Sequence, residues 1–172
     1  MRFRHFPLHP EAPDEGLTLE DLFAGRNIDI PAAQQRMTGL MQDEGLPYGK
    51  RTHTYNSRLA QELAAWADTQ PGGETIHDEL FRAYFVDGQN LASKDVLLDA
   101  AEKAGLSKES AAEVLDGRLF NDTVDADWEL SRRYGITGVP TYVADGRGVN
   151  GAQPYEVLEQ LVTTAGAIRN SK

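Results

Sequence analysis

Cysteine is absent from all 172 positions of the sequence. Its absence excludes disulfide bonds and zinc sites built on thiolates. It also excludes thiol–disulfide exchange by the chain alone, because that reaction needs one thiolate to attack a disulfide and a second thiol to resolve the mixed disulfide. Any function assigned to this chain must therefore be carried by groups other than sulfur nucleophiles.

Basic residues and long apolar runs are also scarce. The chain has 17 Lys and Arg against 27 Asp and Glu, a net charge of −10, which repels nucleic-acid phosphates and anionic lipids. No apolar run approaches the ~18 residues of a membrane-spanning helix, and the first residues lack a secretory signal. We expect no nucleic-acid or membrane partner and a cytoplasmic location. The composition is 40% hydrophobic, which suits one folded domain over residues 1–172.

The sequence up to residue 134 predicts one strand followed by helices. Residues 2–8 alternate charged and aromatic side chains, which is typical of a strand. Thr18, with Asp21 three residues later, forms a capping pattern that predicts a helix start, and Pro31 suits the first turn of a helix through Met41. Apolar residues at helical spacing predict five further helices, at 55–68, 75–86, 93–104, 107–115 and 122–134.

Glycine residues mark the ends of several predicted helices. Gly45 ends the second helix, and Gly105, Gly117 and Gly135 each follow a later one, where a left-handed C-cap favours glycine. After Gly135 the periodicity changes, and two short segments at 141–144 and 147–150 flank Asp145-Gly146, which predicts a two-residue β-hairpin. Residues 154–167 predict a final helix. The predicted order is strand, helical block, two strands and helix.

Four sequence stretches carry a resemblance to a known family. In order along the chain they are Phe6-Pro7-Leu8-His9-Pro10 with Glu15-Gly16, then residues 80–85, then residues 135–140 and residues 150–154. With these stretches the chain resembles the DsbA-like branch of the thioredoxin superfamily, specifically the FrnE-like oxidoreductases. One departure is His53, where many relatives carry asparagine.

The resemblance implies an α/β, thioredoxin-like fold with a large helical insertion. Residues 1–10 and 136–172 would supply the thioredoxin-like sheet and last helix, and residues 17–135 the insertion. Relatives begin with a further strand and helix that carry a Cys-x-x-Cys motif, so by this resemblance the chain is N-terminally truncated. A start codon placed too far downstream would explain the truncation, and an intact mass of 18.9 kDa from the native source would contradict that explanation.

The resemblance also implies which residues bind substrate. Val139 and Pro140 correspond to the pair at which the family docks a peptide or thiol beside a cis-proline, although proline at the first residue of a strand also has a purely structural role. Gly151 and Ala152 are the other candidates, because their N–H groups could face a carboxylate such as that of glutathione. A plain helix cap is the alternative for this pair.

Three functions follow from the resemblance. The first is a thiol-disulfide oxidoreductase whose cysteines are encoded upstream, so that this chain is catalytically incompetent alone. The second is a glutathione-dependent isomerase or transferase similar to 2-hydroxychromene-2-carboxylate isomerase, and the third is a non-catalytic peptide-binding module. We expect no cofactor except glutathione under the second, and no catalytic residue within the chain.

Metal binding is not expected, and self-association is. Asp122, Asp125, Asp127 and Glu129 lack the glycine and terminal glutamate of a calcium loop, and they suit a helix N-terminus instead. In the family fold the absent strand lies between two strands that this chain retains. Because unpaired backbone groups in a core cost about 1–3 kcal/mol each, we expect a homodimer that completes the sheet.

Overall fold

A computed structural model describes residues 2–168 of the chain. The chain divides into two compact units, one formed by Met1–Leu8 with Ala126–Lys172 and the other by His9–Asp125. Residues 169–172, which belong to the predicted C-terminal segment, lie outside the described part, and the single domain over 1–172 stays a prediction.

The unit His9–Asp125 is helical apart from one short ladder. Two-residue strands β1 and β2 pair antiparallel, with Leu17 opposite Thr54 and Thr18 opposite His53, a pairing that the sequence did not indicate. A π-helical turn at Arg82–Val86 continues one helix. The elements are β1 Leu17–Thr18, α1 Leu19–Leu22, α2 Ile30–Asp43, β2 His53–Thr54, α3 Arg58–Ala67, α4 Thr75–Phe81, α5 Lys94–Lys103, α6 Lys108–Asp116 and the start of α7, Asn121–Arg133.

Helices α3 to α6 enclose the main hydrophobic core. Leu63, Ile76 and Leu97 are completely buried there, among small residues such as Ala67 and Ala101 that let the helices approach closely. Burying each large aliphatic side chain stabilises the fold by about 1.5–3 kcal/mol. The predicted helices over this region are confirmed, with the 75–86 helix divided into α4 and the π-helical turn.

The helix starts follow side-chain chemistry. Thr18 Oγ1 accepts a hydrogen bond of 3.0 Å from the backbone N–H of Asp21, as the capping pattern predicts. Asp29 caps α2 through the N–H of Ala32 at 3.0 Å. These bonds satisfy donors that no residue inside the helix reaches.

The predicted left-handed C-caps are confirmed at Gly105 and Gly135, with φ angles of +79° and +65°. The prediction for Gly117 is wrong: its φ is −80°, and Arg118 occupies the left-handed region at φ +50°. Arg118 donates two hydrogen bonds, of 2.8 and 2.6 Å, to the buried carboxylate of Glu62. This ion pair offsets the cost of placing a non-glycine residue in that conformation.

The predicted strand at residues 2–8 is also wrong, because the structure has no β-strand there. Alternating side chains do not create a ladder without regular backbone hydrogen bonds to a neighbouring strand. The N–H of His5 instead donates to Asp127 Oδ2 at 3.1 Å, and Arg4 Nη1 donates to Asp127 Oδ1 at 2.8 Å. Asp127, on α7, therefore holds this segment through a side chain.

The predicted hairpin is confirmed in the unit formed by Met1–Leu8 and Ala126–Lys172. Strands β3, Thr141–Ala144, and β4, Arg147–Asn150, pair antiparallel. Asp145 and Gly146 make the turn with φ angles of +48° and +71°, as a type I′ turn requires. Helix α8, Tyr155–Thr164, follows and contacts both strands.

Candidate functional site

The loop that carries Val139 and Pro140 is fixed to both strands of the hairpin. The carbonyl oxygen of Gly138 accepts hydrogen bonds from Thr141 Oγ1 at 2.6 Å and from Asn150 Nδ2 at 3.1 Å. Asn150 Nδ2 lies 2.7 Å from Thr141 Oγ1 as well. These three contacts anchor the residue immediately before Val139, so the loop is held at a defined position on the sheet.

Pro140 and Gly151, both predicted site residues, lie directly together. The Val139–Pro140 peptide bond is cis, and the Gly151 N–H donates to the Pro140 carbonyl at 2.7 Å. Gly151 has a φ of +83°, a conformation that favours glycine. Its N–H therefore extends the β3–β4 pairing by one residue and is not directed at a ligand.

Val139 is exposed in the loop. Its side chain is 50% exposed, and no residue within 2–168 forms a hydrogen bond with its N–H or carbonyl. Antiparallel pairing alternates along a strand, so with Pro140 bonded to Gly151 the neighbouring backbone groups point the other way. Thr141 and Val143 thus direct their N–H and carbonyl groups away from β4. We call this row, continued by the unpaired backbone groups of Val139, the outer edge of β3.

Ala152, the last predicted site residue, is exposed just before α8. Gln153 Nε2 donates to the Asn150 carbonyl at 2.6 Å, which stabilises the turn between β4 and α8. Helix α8 begins after Pro154, which provides no side-chain cap for its first N–H groups. The start of α8 thus leaves backbone donors without a capping side chain, a favourable environment for an anion.

An open pocket of about 310 Å³ lies against the hairpin in the same unit. Thr141 and Val143 line it from β3 and Asn150 from β4, and residues 134–137 form its other wall. No sequence pattern predicted a role in the site for Thr141 or Asn150. Thr141 nevertheless directly follows Pro140, and Asn150 is the first residue of one of the four resembling stretches. Their importance comes from the shared carbonyl of Gly138, which a sequence pattern does not reveal.

The acidic residues near the start of α7 form ion pairs. Asp125 accepts from Arg58 at 2.7 Å, and Asp127 is paired with Arg4. Among residues 2–168, no three His, Asp or Glu side chains gather closely enough to hold a metal ion. No helix in that range is both long enough and apolar enough to cross a membrane.

Comparison with known families decides the classification. A model of the DSBA-like thioredoxin domain matches residues 1–163. The chain belongs to the DsbA-like thioredoxin domain family. This finding confirms the thioredoxin-like α/β fold and the family resemblance, whereas the FrnE-like branch is a finer assignment that remains a proposal.

Solved structures agree with the family. A probable DsbA oxidoreductase from Streptomyces coelicolor is 28% identical, has a TM-score of 0.86, and is matched over 98% of this DsbA-like chain and 76% of its own. A 2-hydroxychromene-2-carboxylate isomerase is matched over 88% of this chain and 70% of its own, with a TM-score of 0.66. At 17% identity the isomerase shows a shared fold alone.

Curated relatives are longer than the region they share with this DsbA-like chain. The uncharacterized protein YwbO of Bacillus subtilis is 29% identical over 112 residues, which are 64% of this chain and 56% of that protein. The thiol:disulfide interchange protein DsbA of Pseudomonas syringae is 26% identical over 86 residues, 50% of this chain and 40% of that protein. The chain therefore spans about half the length of the relatives it matches.

Proposed function

We propose that this DsbA-like chain supplies the substrate-docking surface of a thiol-disulfide oxidoreductase of the FrnE-like type. Val139 binds an extended peptide or a small thiol through its backbone N–H and carbonyl, while Pro140 and Gly151 hold it in place. Cysteines that react at this surface come from outside these 172 residues, because the sequence contains none.

The observation that carries the proposal is the state of the Val139 backbone. Its N–H and carbonyl have no partner within residues 2–168, although the loop is anchored on both sides, at Gly138 and at Pro140. A fixed strand edge with open donors and acceptors is the geometry at which proteins add a peptide strand. Because the edge is already ordered, binding costs little additional loop entropy.

The proposal makes the chain a binder without catalysis. In an insulin reduction assay with dithiothreitol, we expect no acceleration by the chain, since neither an attacking nor a resolving thiol is present. Acceleration above the dithiothreitol background would contradict this assignment.

Peptide binding tests the docking surface directly. The probe is fluorescein-labelled insulin B chain with its cysteines carboxymethylated, followed by fluorescence anisotropy. The substitution Val139→Pro removes the N–H that faces the ligand, and we expect binding about fivefold weaker, the effect of losing one hydrogen bond. The matched control is Val143→Pro, which removes an outward N–H four residues along the same edge.

The two variants separate this proposal from non-specific adhesion. Selective weakening by Val139→Pro supports docking at Val139, provided that thermal unfolding shows both variants folded. Equal weakening by both, or no saturable binding of the probe to the unmodified chain, would overturn it. Saturable probe binding that neither substitution weakens would place the peptide elsewhere on the surface and would also overturn the proposal.

A second candidate function is a glutathione-dependent isomerase or transferase. The fold shared with 2-hydroxychromene-2-carboxylate isomerase and the uncapped start of α8 beside Ala152 favour it. Glutathione titration followed by tryptophan fluorescence tests this function, with Trp128 in the same unit as the site. Saturable quenching that Ala152→Pro abolishes supports it, and the absence of quenching contradicts it.

We further propose a cytoplasmic location and a homodimer. The location rests on the acidic composition, and fractionation of the native cells checks it. The dimer rests on the outer edge of β3, where a strand of a second copy can pair.

A further inference from the structure

An arginine in the unit His9–Asp125 combines a fixed position with an uncompensated charge. The guanidinium carbon of Arg51 lies 5.1 Å from the ring centroid of Tyr84 and 6.0 Å from that of Phe85. The two rings pack edge to face, with centroids 4.8 Å apart. The cation thus lies over both members of an aromatic pair, where each ring face attracts it.

Both sides of this contact are fixed by hydrogen bonds. Tyr84 and Phe85 lie on the π-helical turn Arg82–Val86, a type of distortion that is frequent at functional sites. The Tyr84 hydroxyl donates to the carbonyl of His53 at 3.1 Å. On the other side, Gln34 Nε2 donates to the carbonyl of Arg51 at 2.8 Å. The aromatic pair and the backbone of Arg51 are therefore both held in place.

Among residues 2–168, the guanidinium of Arg51 has no polar partner. Its Nε is buried without a hydrogen bond, and within residues 2–168 the side chain forms no ion pair. This contrasts with Arg4, Arg58 and Arg118, each of which is bonded to a carboxylate. What distinguishes Arg51 is its buried Nε, which has no partner although a buried donor is normally hydrogen-bonded, and a planar guanidinium in this state is suited to an external anion.

Two further basic side chains share the surroundings of Arg51. The pKa of His9 is lowered from its ordinary value, first by burial and then by the positive charges of Arg51 and Arg26. No carboxylate acts on His9 in the opposite direction. Arg26 is exposed and forms no ion pair in the described part of the chain. A lowered pKa favours the neutral imidazole of His9, so the positive charge in this neighbourhood comes from Arg51 and Arg26, on a protein that is acidic overall.

We propose that Arg51 is the centre of a binding site for a carboxylate ligand, with its guanidinium contacting both carboxylate oxygens and the charge of Arg26 supporting it. A planar guanidinium matches a carboxylate with two parallel hydrogen bonds, and the stacking on Tyr84 and Phe85 fixes the plane in which they form. A singly charged ligand is favoured over a dianion because the net charge of −10 repels additional negative charge.

Nuclear magnetic resonance of the full chain tests the site with sodium acetate as the probe. Titration should produce saturable shifts of the Arg51 Nε–H and His9 imidazole signals, while sodium chloride at equal ionic strength should not. Because a hydrogen-bonded ion pair is lost, Arg51→Gln should weaken acetate binding by about tenfold. Arg51→Lys keeps the charge but not the paired donors, so it should also weaken binding.

Controls make the outcome decisive. Arg147→Gln removes an exposed arginine of the hairpin and should leave acetate binding unchanged. If Arg51→Gln does not fold, Arg26→Gln at an exposed position serves instead and should weaken binding measurably. N-acetylglycylglycine serves as a second probe: tighter binding than acetate indicates the carboxyl end of a peptide, and equal binding indicates a free small acid. Tighter binding of inorganic phosphate, or equal acetate shifts in wild type and Arg51→Gln, would overturn the proposal.

Discussion

Glu62 shows how one buried side chain organises its surroundings. Its carboxylate is completely buried, and it accepts a hydrogen bond of 2.6 Å from Arg58 and two from Arg118. Burial by itself raises the pKa of Glu62, but the hydrogen bonds and charges of Arg118 and Arg58 outweigh it, so the pKa is lowered overall. The carboxylate is therefore the stable form in the folded protein.

The ion pairs of Glu62 predict a large cost for their removal. Glu62→Gln leaves two arginines without their shared partner, and we expect the free energy of unfolding to fall by about 3 kcal/mol at pH 7. Urea unfolding measures the change. The control is Asp99→Asn, which removes a surface carboxylate bonded to Lys108 at 2.6 Å and should have a much smaller effect. Equal effects of the two substitutions would contradict this role.

The same residue predicts a pH dependence. Because the pKa of Glu62 is lower in the folded than in the unfolded chain, its stabilising effect is complete above the unfolded value of about 4.3. It is lost as the pH falls through the folded value. The stability difference between wild type and Glu62→Gln should therefore shrink below about pH 4. A difference that grows in acid would contradict the direction of the shift.

At the scale of elements, the hairpin depends on its turn. Gly146 has a φ of +71°, and a Cβ added there meets no atom within 4 Å. Gly146→Ala therefore tests conformation without a clash, and we expect the hairpin to lose about 1–2 kcal/mol. Faster amide hydrogen exchange in β3 and β4 measures this loss.

Gly39 is the matched control for Gly146. It lies inside helix α2, and a Cβ there also meets no atom within 4 Å. Alanine is the better helix former, so Gly39→Ala should stabilise the chain by about 0.5–1 kcal/mol. Slower rather than faster exchange in β3 after Gly146→Ala would show that the turn conformation does not limit the hairpin.

The elements also show which features a sequence can predict. Local rules sufficed where chemistry is local: the spacing of apolar residues predicted α3 to α8, and Asp145-Gly146 predicted the hairpin. These rules failed where contacts with residues far along the chain determine the local conformation. Residues 2–8 are held by Asp127, and Arg118 takes its left-handed conformation beside Glu62, partners that lie more than 50 positions away.

Some residues of the candidate site could be predicted from the sequence, and others could not. Val139 and Pro140 follow from the sequence because the resembling stretch includes them, and the structure brings Gly151 to Pro140. The contacts of Thr141 and Asn150 with the Gly138 carbonyl were not predictable, since they depend on the strand register. The pairing of Arg51 with Tyr84 likewise spans 33 positions and a π-helical turn that no local rule indicates.

At the scale of the whole molecule, the two units differ in how much apolar surface they bury. Almost all of the fully buried hydrophobic residues described belong to His9–Asp125, and Leu161 alone belongs to the other unit. Both units expose some large apolar side chains, and in the smaller unit these are Phe3, Leu8, Tyr134, Val139, Val143, Tyr155, Val162 and Ile168. Exposed apolar surface of this extent is typical of an interaction surface.

The sheet of this unit points to the same conclusion. Strands β3 and β4 form a two-stranded sheet, and such a hairpin is at best marginally stable without a further strand or a covering helix. Helix α8 covers it in part. The outer edge of β3 carries backbone groups that point away from β4, which makes it a template for another strand. A second copy offers the same edge, and antiparallel pairing of identical strands closes with twofold symmetry.

These features predict a homodimer joined through β3. Light scattering should give twice the chain mass of 18.9 kDa. Val143→Pro removes an outward N–H at the centre of such a pairing while sparing the bonds to β4, so it should yield monomers. Val139→Pro should remain dimeric, because pairing centred on Val143 leaves Val139 beyond the paired segment. A monomeric wild type at all concentrations, or a dimeric Val143→Pro variant, would show that β3 does not join the copies.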